Sequence, residues 1–158
     1  MGKPASVKGD RMEYLVQLSD NKILVSSVLA WFLAQIIKTL INFLSTKKFD
    51  PERLFGSGGM PSSHSATVCA LVTSVACIYG LDTYEFAMAA VFAIIVMYDA
   101  MNVRREAGRH AKWINLIATT LQPDVPLEKK FKEYLGHTPL QVLMGSLLGI
   151  AIALAVLQ

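Results

Sequence analysis

An all-α, polytopic membrane helical bundle is the fold this sequence predicts, and three observations predict it. Of 158 residues, 53% are hydrophobic and only 17% are charged, with a mean hydropathy of +0.43. The apolar residues come in long blocks, not at the periodic spacing that a water-soluble core produces. The charged residues collect between those blocks. A spanning helix needs roughly 20 mostly apolar residues, with a floor of about 17. Four blocks reach or approach that length, at residues 23–44, 65–81, 86–101 and 140–157. The expected architecture is about four spanning helices plus interfacial amphipathic helices, in one membrane-embedded domain over residues 14–158.

Residues 1–13 read as a disordered, basic tail that lacks the apolar core of a signal peptide. Tyr14, Leu15 and Leu18 then suggest a short interfacial helix leading into the first span. That span carries two polar residues of note, Gln35 and Lys38. Lys38 either snorkels to the interface or points inward at an anion, and the sequence leaves both open. In the second span, Cys69 and Cys77 are separated by about 12 Å along the helix axis. That is too far for a disulfide, so both read as small apolar packing residues. The third block is short and ends on Asp99; an ionisable group near membrane depth is a functional candidate. In the last span, Gly145 and Gly149 have the small-xxx-small spacing of close helix packing.

The net charge of +3 matters less than its distribution. Lys47, Lys48 and Arg53 lie between the first two spans. Arg104, Arg105, Arg109, Lys112, Lys129, Lys130 and Lys132 lie between the last two. The short connection at residues 80–85 holds Asp82 and Glu85 and no basic residue. The positive-inside rule then puts both basic loops in the cytoplasm and both termini outside. Four spans bring the two basic loops to one membrane face. Nucleic acid is not an expected partner, because the basic residues are split among interfacial segments with no aromatic stacking platform.

Three polar clusters fall on that face. The first is residues 53–64, where Gly58, Gly59, Pro61, Ser62, Ser63 and His64 precede an apolar run. Side-chain-poor glycines let the backbone approach a ligand, and proline fits the first turn of a helix. The free N–H groups of that turn suit phosphate, and His64 supplies a proton donor near neutral pH. The second cluster is residues 99–109, with Asp99, Arg104, Arg105, Glu106 and Arg109. If the helix continues, Arg105, Arg109 and Lys112 form one basic stripe, while Ala107, Ala111, Ile114, Ile117 and Leu121 line a membrane-facing side. The third is residues 134–139, where Thr138 caps and Pro139 starts the last helix, leaving His137 at a second positive helix end. Ahead of it, Leu127, Phe131 and Leu135 repeat every four residues as in another amphipathic surface segment.

These motifs resemble the type 2 phosphatidic acid phosphatase superfamily, which includes the vanadium haloperoxidases. The chain looks most like a divergent branch of small bacterial and plant membrane proteins. The resemblance rests on Gly-Gly-Met-Pro-Ser-Ser-His-Ser-Ala at 58–66, Tyr-Asp-Ala at 98–100, Val-Arg-Arg-Glu-Ala-Gly at 103–108 and Leu-Gly-His-Thr-Pro at 135–139. It extends from the first span to the C-terminus. It implies that His137 is the nucleophile, forming a phosphohistidine, and that His64 protonates the leaving group. It also implies that Ser62 and nearby backbone N–H groups hold phosphate oxygens, and Ser63 and Gly59 beside it are candidates for the same role. Arg104 and Arg105 are further phosphate-binding candidates.

Three positions depart from the superfamily pattern. Ser63 replaces a glycine, Gln141 stands where an orienting aspartate is expected, and Phe131 stands where a phosphate-binding arginine is expected. A first motif of lysine followed by arginine-proline is missing as well, with Lys38 and Arg53 as loose stand-ins. Asp99 and Glu106 are the carboxylates available to support the site. The resemblance therefore implies a membrane lipid phosphatase working without metal or other cofactor on a phosphomonoester or pyrophosphate. Its expected partners are the bilayer and a phosphorylated membrane lipid, with oligomerisation left open. The competing reading is a non-catalytic protein that binds or moves phosphorylated lipids through the same anion site.

Overall fold

The computed structural model describes residues 7–47, 58–121, 130–133 and 135–158. Among these residues all regular structure is helical. Helix α1 (Val7–Asp20) precedes α2 (Lys22–Thr46). Helix α3 (Ser63–Tyr79) is followed by α4 (Tyr84–Tyr98). A π-helical segment (Asp99–Val103) joins α4 to α5 (Arg104–Leu121), and α6 (Pro139–Leu157) ends the chain. Three helical runs are long and apolar enough to cross a membrane: Lys22–Thr46, Tyr84–Leu121 and Pro139–Leu157. The shorter apolar helix α3, at 17 residues, sits at the floor of about 17 for a span. The protein is an all-α membrane bundle.

α1 carries Tyr14, Leu15 and Leu18, all exposed, and begins ahead of residue 14, the expected start of the membrane domain. Asn21 ends it and caps α2, accepting from the Leu24 backbone N–H at 3.0 Å. In the bundle, α3 packs against α2, α4 and α6, and α2 also meets α6. The core between them is small-sided: Ala30, Ala34, Ala66, Ala70 and Ala153 are buried around Ile152. Small residues let helix backbones approach where lipid leaves no hydrophobic drive between helices. A Cβ on Gly145 would collide with the Ser62 carbonyl, and one on Gly149 with the Ala66 carbonyl. The predicted small-xxx-small stripe is thus the α6 face that seats α3. Large side chains such as Phe32, Phe92, Ile95 and Leu147 point outward, as lipid-facing residues do.

The same contacts set helix directions. Ser62 meets Gly145 and Ala66 meets Gly149, so α3 and α6 run parallel. The buried Ser26 and Ser74 hydroxyls share a 2.6 Å hydrogen bond, while Lys38 meets Gly59, so α2 is antiparallel to α3. Cys69 near the start of α3 approaches Met97 near the end of α4, so α4 is antiparallel too. The N-termini of α3 and α6 and the C-terminal halves of α2 and α4 therefore share one end. Cys69 and Cys77 are both free thiols.

Three local expectations are corrected. The third apolar block does not stop at residue 101, because a π-helical turn carries the helix onward into α5. Pro61 is not in the first turn of α3; Ser62 is the N-cap and Ser63 opens the helix, because a serine hydroxyl satisfies a free N–H that proline cannot serve. Of the amphipathic segment expected around residues 127–135, Leu127 lies outside the described residues, and Lys130–Glu133 and Leu135 are not helical. Asn115 on α5 holds Phe131 by both backbone groups, at 3.0 Å each, and that pairing replaces the helical bonds.

Candidate functional site

Two capped helix starts build the site. At α3, the Ser62 hydroxyl accepts from the Ser65 backbone N–H at 3.3 Å and from Ser65 Oγ at 3.0 Å. At α6, Thr138 is the N-cap, Pro139 follows it, and Gln141 closes a capping box, as the Thr-Pro pair predicts. The Ser62 backbone N–H donates to the Gln141 carbonyl at 3.0 Å. That bond ties two positive helix ends together at one point.

His64 and His137 are brought together there, with ring centroids 6.0 Å apart in an edge-on arrangement. His137 is 2% exposed. Its backbone N–H donates to the Ala100 carbonyl at 2.9 Å, which hooks this segment onto the π-helical turn. Gly136 makes the crossing possible: it has φ +79°, and any Cβ would strike the Arg105 backbone. On the opposite wall, a Cβ on Gly108 would strike the Glu133 carbonyl. Glycines from two motifs thus let the chain leading to His137 lie directly on α5.

The Gln141 side chain decides which His137 nitrogen is free. Its Oε1 accepts from the Thr138 backbone N–H at 3.0 Å and lies 3.2 Å from His137 Nδ1. A peptide nitrogen only donates, so the atom facing it is the amide oxygen, and His137 must then donate from Nδ1. Nε2 is left with its lone pair, buried and without a hydrogen-bond partner, and His64 Nδ1 is also buried without one. Buried imidazole nitrogens are normally satisfied, so these two neighbouring unpartnered nitrogens stand out.

Lys38, 2% exposed, lies against Gly59, whose φ is +86° and whose Cβ would sit 3.0 Å from Lys38 Cγ. Its burial sets the Lys38 side chain inside the bundle and not out at the interface. His137 lies in the segment before α6, outside the spanning helices. Burial is the main influence holding its pKa below the ordinary histidine value of 6.5, and the positive charges of Lys38 and Arg104 act the same way. The Gln141 bond and the Gly59 backbone partly oppose this.

The remaining predicted residues divide. Ser62 is fully buried and Ser63 is 4% exposed, and the Ser62 hydroxyl is engaged in capping. Arg104 hydrogen-bonds Asp99, so Asp99 orients an arginine rather than His137. Glu106 pairs with Arg109 at 2.8 Å and makes no bond to either histidine. Arg53 lies outside the described residues. Arg105 lines a pocket of about 240 Å³ with Arg109, Lys112, Gly136, His137 and Gln141. The sequence spacing places Arg109 and Lys112 on the Arg105 stripe, but only the fold turns that stripe toward His137. The Ala100 carbonyl and the contacts of Gly108 and Gly136 leave no sequence signal beyond membership of the motifs.

With this geometry in place, the comparisons with known proteins are specific. The profile of the Divergent PAP2 family matches residues 19–152. The Bacillus subtilis (strain 168) protein named "Uncharacterized membrane protein YuiD" is 43% identical over 151 residues, covering 88% of this chain and 96% of that one. No solved structure matches the chain. The profile match takes in every described element of the site, from Lys38 through the histidine pair to Gln141, and on that basis the chain belongs to the divergent PAP2 family.

Proposed function

We propose that this protein is a membrane lipid phosphatase that hydrolyses a phosphomonoester or pyrophosphate of a lipid through a phosphohistidine. The observation that carries this reading is the facing pair His64 and His137, 6.0 Å apart, each with a buried nitrogen that has no partner. Rings at that separation can both touch one phosphate.

The residues divide the chemistry as follows. His137 Nε2 donates its lone pair to phosphorus as the phosphorus–oxygen bond to the lipid breaks, and His64 gives its proton to the departing oxygen. Water then attacks the phosphohistidine, His64 takes a proton from it, and the phosphorus–nitrogen bond breaks to release inorganic phosphate. A neutral His137 is the nucleophilic form, and its burial favours that form. Lys38, Arg104 and the joined helix ends of α3 and α6 supply fixed positive charge where the transferring phosphoryl oxygens lie. The apolar spans would hold the lipid tail, and the site faces the cytoplasm if the basic loops follow the positive-inside rule.

The test is phosphate release by the purified full-length protein in lipid nanodiscs. Substrates are phosphatidic acid, phosphatidylglycerol phosphate and a prenyl diphosphate. Turnover of at least one, abolished in His137→Ala, is the expected result. Equal release by wild type and His137→Ala would overturn the reading.

One observation favours a second reading. The group on His137 Nδ1 is the neutral amide of Gln141, which stabilises an imidazolium less than a carboxylate does. A protein that binds or moves phosphorylated lipids without turnover would need no such carboxylate. It predicts saturable binding of a lipid phosphate, lost in Arg104→Ala, with no phosphate released.

A further inference from the structure

We propose that the pocket between α5 and the segment around Gly136 is a second phosphate subsite, so that the lipid substrate carries two phosphate groups. This rests on the histidine pair being the reacting site. Arg105, Arg109 and Lys112 line one wall of the roughly 240 Å³ pocket, and His137 and Gln141 line it as well. The three cations are spaced i, i+4 and i+7 along one stripe of α5. Glu133 is the carboxylate among the described lining residues, and it already accepts from the Asn115 amide at 2.9 Å. Arg109 shares its charge with Glu106, which is not part of the lining.

An anchoring helix alone would account for cations beside exposed Trp113, Ile114 and Leu116. It would not account for the wall opposite them. Gly108 and Gly136 have no Cβ, and a Cβ on either would collide with backbone across the gap. The basic stripe is thereby folded into a concavity by the same segment that delivers His137. Lys38 and Arg104 are the cations whose charge reaches His137, and Arg104 is paired with Asp99. Arg105, Arg109 and Lys112 are cations additional to Lys38 and Arg104, and guanidinium groups match phosphate oxygens in paired hydrogen bonds.

Two lipid chemistries present that second phosphate: a diphosphate ester, and a phosphatidyl headgroup ending in a phosphomonoester. In both, water supplies the oxygen that stays on the released phosphate. A proton goes to the oxygen left on the lipid, which keeps its other phosphate. Phosphatidic acid has no second phosphate to place.

The experiment uses full-length wild type, Arg109→Gln/Lys112→Gln and the charge-retaining Arg109→Lys, all in nanodiscs of neutral lipid. Both side chains are exposed, so the substitutions spare the bundle. For turnover, kcat/KM is measured on a prenyl diphosphate, phosphatidylglycerol phosphate and phosphatidic acid. The double variant should lose at least ten times more on a two-phosphate lipid than on phosphatidic acid, mainly through KM, with Arg109→Lys retaining most of it. The diphosphate and phosphatidylglycerol phosphate arms tell adjacent from separated phosphates. Equal losses on all three lipids would overturn the subsite. Calorimetric binding of inorganic pyrophosphate and phosphate reads the subsite without turnover. Tenfold tighter pyrophosphate binding, lost in the double variant, supports it even if no lipid is hydrolysed, in which case only the catalytic reading falls. Equal affinity for the two anions overturns it.

Discussion

Gln141 Oε1 lies 3.2 Å from His137 Nδ1 while also closing the capping box that begins α6. One side chain therefore does two jobs, starting the last span and fixing the tautomer of the central imidazole. An amide can hold that tautomer without adding charge. This leaves burial in control of the His137 pKa, which lies below 6.5.

The pH dependence follows with a definite sign. The neutral imidazole is the nucleophile, so phosphate release should fall as pH drops through the His137 pKa. That acid limb should lie below pH 6.5. In Gln141→Glu a carboxylate faces Nδ1 and favours the imidazolium, so the limb should move upward by about one pH unit or more. A kcat/KM–pH profile of both proteins checks this; an unmoved limb would exclude His137 as the titrating group.

Lys38→Met keeps the stem that packs on Gly59 and removes the charge. Loss of one charge-assisted contact to phosphate, worth about 1.5–3 kcal/mol, should raise KM or the phosphate dissociation constant by roughly 10–100-fold. The thermal transition should still be cooperative. Unchanged affinity would mean that Lys38 serves the bundle and not the anion.

Gly149→Val should destabilise the bundle, because its side chain would be driven into the Ala66 backbone. Overpacking of this kind costs about 1–3 kcal/mol. A lower melting temperature in detergent is expected. Leu147→Val, on the exposed face, should change it little. Similar effects from the two substitutions would contradict the α3–α6 contact.

Membrane orientation can be read with single cysteines in a Cys69→Ala/Cys77→Ala background. Asp82→Cys should react with an impermeant maleimide on intact cells, and Lys130→Cys only after permeabilisation. The reverse pattern would put the histidines on the outer face.

Much of this was legible before any folding. The blocks of apolar residues predict helices, since a backbone in lipid must satisfy its own hydrogen bonds. Thr138-Pro139 predicts the start of α6, because capping is local chemistry that needs no distant partner. Less was legible wherever the outcome depends on a partner far along the chain. Asn115 overrides the four-residue repeat around Phe131 by binding its backbone, and nothing near Phe131 announces that. The π-helical turn at Asp99–Val103 likewise leaves no mark in the apolar pattern.

By itself, then, the sequence determined the class of fold, the common face of the polar clusters and the two histidines worth following. Those properties come from composition and short-range order. The tertiary structure alone decided that Lys38 points inward and that Arg109 and Lys112 join Arg105 beside His137. Each is a contact between segments far apart in the chain. It depends on how closely the backbones approach at Gly59, Gly108, Gly136 and Gly145, and that distance is a property of packing, not of residue order.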